Sequence, residues 1–164
     1  MAVIEPMVIK IGDKQMFTWV GGYGDREQVQ PFLADYSKLR EAGMSYNDDF
    51  KGQIPGLEGS LDEDRAIYAL SCLWHIEQEQ KQIAAALADG YTVMDIAKPA
   101  TQQRFPNIIV YRPEHYSGGT GLISRYTDAR LIFDDNGQPS VLLPKGRRTR
   151  GYDVRRAQIL VKQM

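Results

Sequence analysis

Cysteine and histidine are almost missing from this 164-residue chain, which has one Cys and two His. A lone thiol, Cys72, can form no internal disulfide and supplies no multi-cysteine zinc site, so a reducing, cytoplasmic setting with no structural metal is expected. No segment approaches the roughly 18 consecutive apolar residues of a membrane span, and no membrane partner is expected. The first residues lack a basic stretch followed by an uninterrupted apolar one, the pattern of a secretory signal. Internal repeats and low-complexity runs are also lacking. With 43% hydrophobic and 25% charged residues, the composition is that of an ordinary soluble globular chain. Its length suits one domain over residues 1–164 that buries roughly 70% of the surface exposed on unfolding.

Charge is present in quantity and unevenly placed. Residues 1–97 hold 8 Lys and Arg against 16 Asp and Glu, a net of −8, whereas residues 98–164 hold 12 against 5, a net of +7. The formal charge of −1 therefore hides a strongly dipolar chain. Such asymmetry points to nucleic acid, to an anionic protein partner, or to another copy of the chain's own acidic half.

Hydrophobic periodicity outlines an α+β fold. Residues 7–11 and 15–20 read as an N-terminal hairpin around Gly12-Asp13-Lys14, closed by the glycines of residues 21–24. Asp25 can cap a helix to about Ala42, with Val29, Phe32, Leu33, Tyr36 and Leu39 at helical spacing and Gly43 as its stop. Residues 45–59 form a patternless loop that includes Asp48 and Asp49. Ser60 and Glu63 then form a capping box, in which hydroxyl and carboxylate each satisfy an amide that lacks a helical partner. The long helix that follows should run to Asp89 and stop at Gly90, with Ala66, Leu70, Leu73, Trp74, Ile76, Ile83 and Leu87 as its apolar stripe. Residues 77–82 read as a solvated face or as a kink.

Strands dominate the remainder. Residues 92–96 and 105–111 read as strands, and 130–133 with 140–143 as a hairpin whose Asn136-Gly137 supplies the positive φ angles of a tight turn. Residues 153–164 fit a helix through Val154, Ala157, Leu160 and Val161, or a strand through Ala157, Ile159 and Val161; the helical reading is preferred. The expected architecture is an antiparallel sheet built from N- and C-terminal hairpins, packed against one long and one shorter helix.

Four places invite chemistry. Lys145, Arg147, Arg148, Arg150, Arg155 and Arg156 crowd the tail. Guanidinium groups pair bidentately with phosphate, and Tyr152 would be available to stack on a base. The competing reading is pairing with acids inside the fold or across an interface. The glycine loop of residues 116–121, with Glu114 and His115, could cradle an anion through its amides. It lacks the ending of a phosphate-binding P-loop, and the plainer expectation is a mobile surface turn over residues 117–121. His75 with Glu79 has metal-ligand spacing but too few partners, and a core setting for Cys72 and Trp74 is preferred. Asp48-Asp49, Asp62-Glu63-Asp64 and Asp134-Asp135 invite a magnesium-dependent nuclease; capping and turn formation account for the last two groups, and no nuclease spacing accompanies them.

The functional expectation is a non-enzymatic intracellular binding protein without cofactors. It would act on nucleic acid or a nucleoprotein assembly through an arginine-rich surface of Lys145, Arg147, Arg148, Arg150, Tyr152, Arg155 and Arg156. Small dipolar proteins of this kind are common among phage and mobile-element accessory factors. Two other classes stand beside it. One is an enzyme acting on a nucleotide or phosphorylated substrate at the 114–121 loop; the other is a structural subunit that forms a homo-oligomer, acidic face to basic face.

Overall fold

The computed structural model describes residues 5–11, 14–20, 26–34, 36–37, 59–94, 103–153 and 155–163. Strands β1 (Glu5–Ile11) and β2 (Lys14–Val20) pair antiparallel as a two-stranded sheet of their own. A short helix α1 (Arg26–Val29) and the long helix α2 (Leu61–Ala88) follow. Strands β3 (Thr92–Val93), β4 (Arg104–Arg112), β5 (Leu122–Phe133), β6 (Pro139–Leu142) and β7 (Gln158–Lys162) make a five-stranded antiparallel sheet in the order β3-β7-β4-β5-β6. The class is mixed α+β, and only the C-terminal hairpin contributes to the larger sheet. Asp25, Asp48, Asp49 and the positions between Lys38 and Glu58, where the end of the shorter helix and a patternless loop are expected, lie outside the described residues. The chain divides into two compact units, Met1–Gln80 with Glu114–Gly121, and Lys81–Pro113 with Leu122–Met164.

In the first unit, the start of α2 is built as its side chains dictate. Ser60 Oγ accepts the Glu63 N–H at 3.2 Å, and the Glu63 carboxylate reaches back to the Gly59 N–H at 3.3 Å. Both bonds satisfy amides that the first helical turn cannot. From there Ala66, Ala69, Leu70, Cys72, Leu73 and Ile76 form a buried stripe against Val29, Leu33 and Tyr36, with Trp74 only partly buried at its margin. The shorter helix is interrupted. Pro31 has no N–H to donate and its ring crowds the preceding turn, so α1 gives way to a 3-10 turn over Gln30–Phe32.

α2 includes residues 77–82 and ends in a Schellman motif. Gly90 takes φ +100, its N–H bonds the Leu87 carbonyl at 3.2 Å, and the Tyr91 N–H bonds the Ala86 carbonyl at 3.0 Å. Within the second unit, Ala86 and Ile83 pack with Tyr91, Ile109, Ile123 and Leu160. Leu87, expected in the stripe, is 45% exposed because Ala86 is the residue that faces the sheet.

The C-terminal stretch is strand, not helix. β7 pairs with β3 on one side and β4 on the other, placing Ile159 and Val161 in one apolar cluster and Leu160 in another on the opposite face. A run of three apolar residues is what an interior strand with both faces covered requires. Lys162 secures its end, donating to Asp89 Oδ2 at 2.9 Å. The β5–β6 hairpin also turns differently from expectation. Its loop is Asp135-Asn136-Gly137, closed by an Asp134 N–H bond to the Gln138 carbonyl at 2.9 Å, and only Gly137 has positive φ. This is the three-residue hairpin loop with one left-handed residue.

Two tests follow from these cores. Leu73 is fully buried, and Leu73→Ala should lower the unfolding free energy by about 2–5 kcal/mol in urea titration, through lost burial and the residual cavity. Burial also pushes the Cys72 thiol from 9.0 up to about 11, partly offset by a hydrogen bond with Tyr68. The unfolded thiol ionises first as pH rises, so Cys72 contributes stability that is complete below pH 9.0 and lost towards about pH 11. Native protein should resist maleimide at neutral pH, and Cys72→Ser should reduce the alkaline loss of stability over that window.

Candidate functional site

The arginine-rich segment is held against the free edge of β6. Gly146, at φ +86, turns the chain, and the Leu143 N–H bonds the Arg147 carbonyl at 2.7 Å. The returning chain bridges Arg148 to Leu142; the Thr149 N–H then donates to the Val141 carbonyl at 2.9 Å, and the Val141 N–H to Thr149 Oγ1 at 2.9 Å. The Tyr152 N–H closes the return on the Pro139 carbonyl at 2.7 Å. Lys145, Arg147, Arg148 and Arg150 all stand exposed on this added edge. A charged edge also discourages pairing with another sheet, which is the purely structural account of these residues.

Tyr152 does not share their exposure. It is 6% exposed and packs among Phe105, Ala129, Leu131, Val141 and Ile159. Its hydroxyl lies 3.1 Å from that of Tyr126, the Arg112 guanidinium sits 5.5 Å from its ring centroid, and burial pushes its phenol up to about 12. The ring is therefore an anchor for the segment, and the expected stacking on a base is not open to it. Arg155 and Arg156 are exposed after the segment. Arg155 is partly satisfied at home: its backbone N–H, at 2.9 Å, and its guanidinium, at 3.3 Å, both meet Asp153, which lowers the pKa of that carboxyl.

The register of the sheet adds arginines that clustering along the chain does not reveal. Arg104 of β4 lies opposite Arg130 of β5, Arg130 opposite Leu142 of β6, and Leu142 opposite Arg148. Residues directly opposite in antiparallel pairs project from one face, and neighbouring strands are about 4.8 Å apart, so three arginines form a row across four chain segments. Like charges directly opposite each other destabilise a sheet. Arg104 is relieved by Asp128, to which its Nε donates at 2.5 Å. With side-chain exposures of 62% and 52%, such a pair contributes roughly 0.2–1 kcal/mol. Among the described residues no carboxylate pairs with Arg130, Arg147, Arg148 or Arg150.

Two grooves open beside these residues. One, of about 280 Å³, is lined by Arg104, Asp128, Arg130, Leu142 and Pro144. The other, of about 470 Å³, lies between the hairpin loop and the returning edge, with Asn136, Gln138, Arg148 and Arg150 on its walls. Gly151 is required there, because a Cβ would fall on the Asp134 carboxylate and within 2.8 Å of Gln138 Cβ. Asp134 itself is committed to the turn: its Oδ1 accepts the N–H groups of Asn136 and Gln138, each at 2.9 Å.

The glycine loop is a correction. Gly118 and Gly119 are buried and hold φ values of +70 and +74. A Cβ on Gly119 would come within 2.9 Å of Arg26 Cα, so only glycine permits this approach to α1. The loop does bind an anion, but the anion is the chain's own Glu79. The Gly121 N–H donates to Glu79 Oε1, while Arg26 Nη1 donates to Glu79 Oε2 at 2.8 Å and to the Gly119 carbonyl at 3.0 Å. Glu114 Oε1 accepts the Arg26 N–H at 2.7 Å, and the Tyr68 and Ser117 hydroxyls lie 2.6 Å apart. The mobile turn expected over residues 117–121 is a tied one. Glu79, expected on a solvated face, is 7% exposed and held by Arg26 and the Gly121 N–H. His115 is exposed with its ring edge-on to Tyr116, and His75 is exposed with its ring edge-on to Trp74.

No family model, curated protein or solved structure matches this chain. Assignment of function therefore rests on the side chains themselves.

Removing one partner from a buried ion pair leaves the other charge without compensation and typically costs about 3–5 kcal/mol. Glu79→Ala should accordingly destabilise the protein by that amount in chemical denaturation and expose the 114–121 loop to proteolysis. An unchanged midpoint and an uncut loop would show that Glu79 is not what secures it.

Proposed function

We propose that this protein is a non-enzymatic binding protein whose ligand is nucleic acid, held at the arginine-bearing edge of the five-stranded sheet. One observation carries the proposal: Arg130, Arg147, Arg148 and Arg150 stand exposed with no carboxylate paired to them among the described residues. Guanidinium groups remain charged at any relevant pH and match phosphate oxygens two at a time. Several on one surface displace condensed counterions from a polyanion, the main source of sequence-independent affinity. The hydrogen bonds that tie the segment to β6 hold the backbone that bears these charges, so less ordering is required on binding.

The burial of Tyr152 narrows the mode of contact. With that ring in the core, affinity would come from backbone phosphates, not from stacking on bases, and little discrimination among sequences is expected. Asn136 and Gln138, beside Arg148 and Arg150, are the side chains placed to add polar contacts.

Fluorescence anisotropy with a short labelled DNA duplex, repeated over a salt series, tests the proposal. Each lost phosphate contact lowers the slope of log affinity against log salt by about 0.9, so Arg147→Ala with Arg148→Ala and Arg150→Ala should lower it by up to about 2.7. Exposed substitutions of this type alter stability by about 0.5 kcal/mol or less each, and the melting temperature should barely change. Binding that is undetectable in the parent protein, or indifferent to the triple substitution, would overturn the proposal.

A further inference from the structure

We infer that Asp128 is an internal competitor for the phosphodiester backbone, occupying Arg104 until a nucleic acid laid across the arginine row displaces it. This rests on the nucleic-acid reading above and assigns a regulator to the same surface.

Backbone and charge at residue 128 make separate demands. Asp128 has φ +53, and the pairing of β4 with β5 is interrupted there, opposite Pro106, which has no N–H to contribute to the ladder. On either side of this point, Phe105 with Ala129 and Ile108 with Tyr126 feed the same apolar cluster, so the in-out alternation slips by one residue. The left-handed conformation accounts for a residue of the Gly, Asn or Asp type. It does not account for a negative charge. That charge is directed at Arg104, whose Nε and Nη2 both contact Asp128 Oδ1.

The neighbouring position makes the pairing informative. Arg130, directly opposite Arg104, has no carboxylate among the described residues, and Arg148 continues the row beyond Leu142. A phosphate above the row meets Arg130 and Arg148 at once, but reaches Arg104 only by exchange with a carboxylate of similar geometry. The Arg104–Asp128 pair is well over half exposed on the arginine side and lines an open groove, so the exchange requires no rearrangement of the core. The same carboxylate eases repulsion between Arg104 and Arg130 in the free protein.

The test is a double-substitution cycle, read by anisotropy with the same duplex and its single strand. Asp128→Asn retains a residue that tolerates the left-handed conformation. It should tighten binding by about fivefold at low salt, the worth of one unscreened charge pair at contact distance. It should also steepen the salt slope, by up to about 0.9 for duplex and about 0.7 for single strand, because no displaced carboxylate then takes up a cation when Arg104 turns to phosphate. In an Arg104→Gln background the same substitution should have little effect, and Arg130→Gln alone should lower the slope by about one contact. Circular dichroism melting of each variant verifies that the sheet is intact. If Asp128→Asn leaves affinity unchanged, or tightens it equally without Arg104, the competitor role is wrong. If those variants are silent while Arg147, Arg148 and Arg150 still govern binding, this inference fails and the proposed function stands. If the parent protein binds neither probe, the proposed function fails first.

Discussion

Tyr152 is the point on which the basic edge depends. Its side chain is buried in the apolar layer formed by β4, β5, β6 and β7, and its backbone N–H is bonded to Pro139 at the start of β6. A residue fixed at that position limits where the preceding chain can run. Turned at Gly146 and bridged to Leu142, the segment can only lie along β6, and polar side chains in such a stretch project away from the apolar layer. The exposure of Arg147, Arg148 and Arg150 is a consequence of this packing. The residue that resembled a ligand-stacking aromatic is therefore the structural requirement for the arginines beside it.

Two clusters of charge show how a buried charge and an exposed one are satisfied differently. Glu79 is nearly excluded from water, and both of its oxygens have donors, one from the backbone of the glycine loop and one from Arg26. Desolvation makes an incomplete set of partners costly there, and the local structure is built to supply them. On the sheet edge, water and counterions solvate the guanidinium groups, so no such demand exists. Arg130, Arg147, Arg148 and Arg150 can stand without a carboxylate among the described residues at little cost. On the proposed function, that freedom is what a phosphate ligand would use.

The long-range pairing of β7 has a similar role for the second unit as a whole. By lying between β3 and β4 it places apolar side chains on both faces, closing the Phe105–Tyr152 layer on one side and receiving Ala86 of α2 on the other. Lys162 adds a contact to Asp89 just past the end of α2, where a cation also suits the helix dipole. β7 thus organises a sheet whose arginine-bearing edge lies three strands away.

Local chemistry was legible in the sequence. The Ser60–Glu63 cap, the Gly90 stop and the stripe through Leu70 and Leu73 each depend on residues within a turn or two of one another. Where partners are distant in the chain, sequence alone did not decide. The alternation at residues 157–161 could not distinguish an interior strand from a helix until β3 and β4 were seen on either side. Glu79 read as a solvent-facing acid because Arg26 and Gly121, its partners, are far away in sequence. Arg104 and Arg130 gave no signal for the same reason: the β5–β6 register sets Arg130 against Leu142, and the turn at Gly146 sets Leu142 against Arg148. Helix caps and turns are settled by hydrogen bonds between near neighbours; burial, register and the company a charge keeps are settled only when separate segments pack.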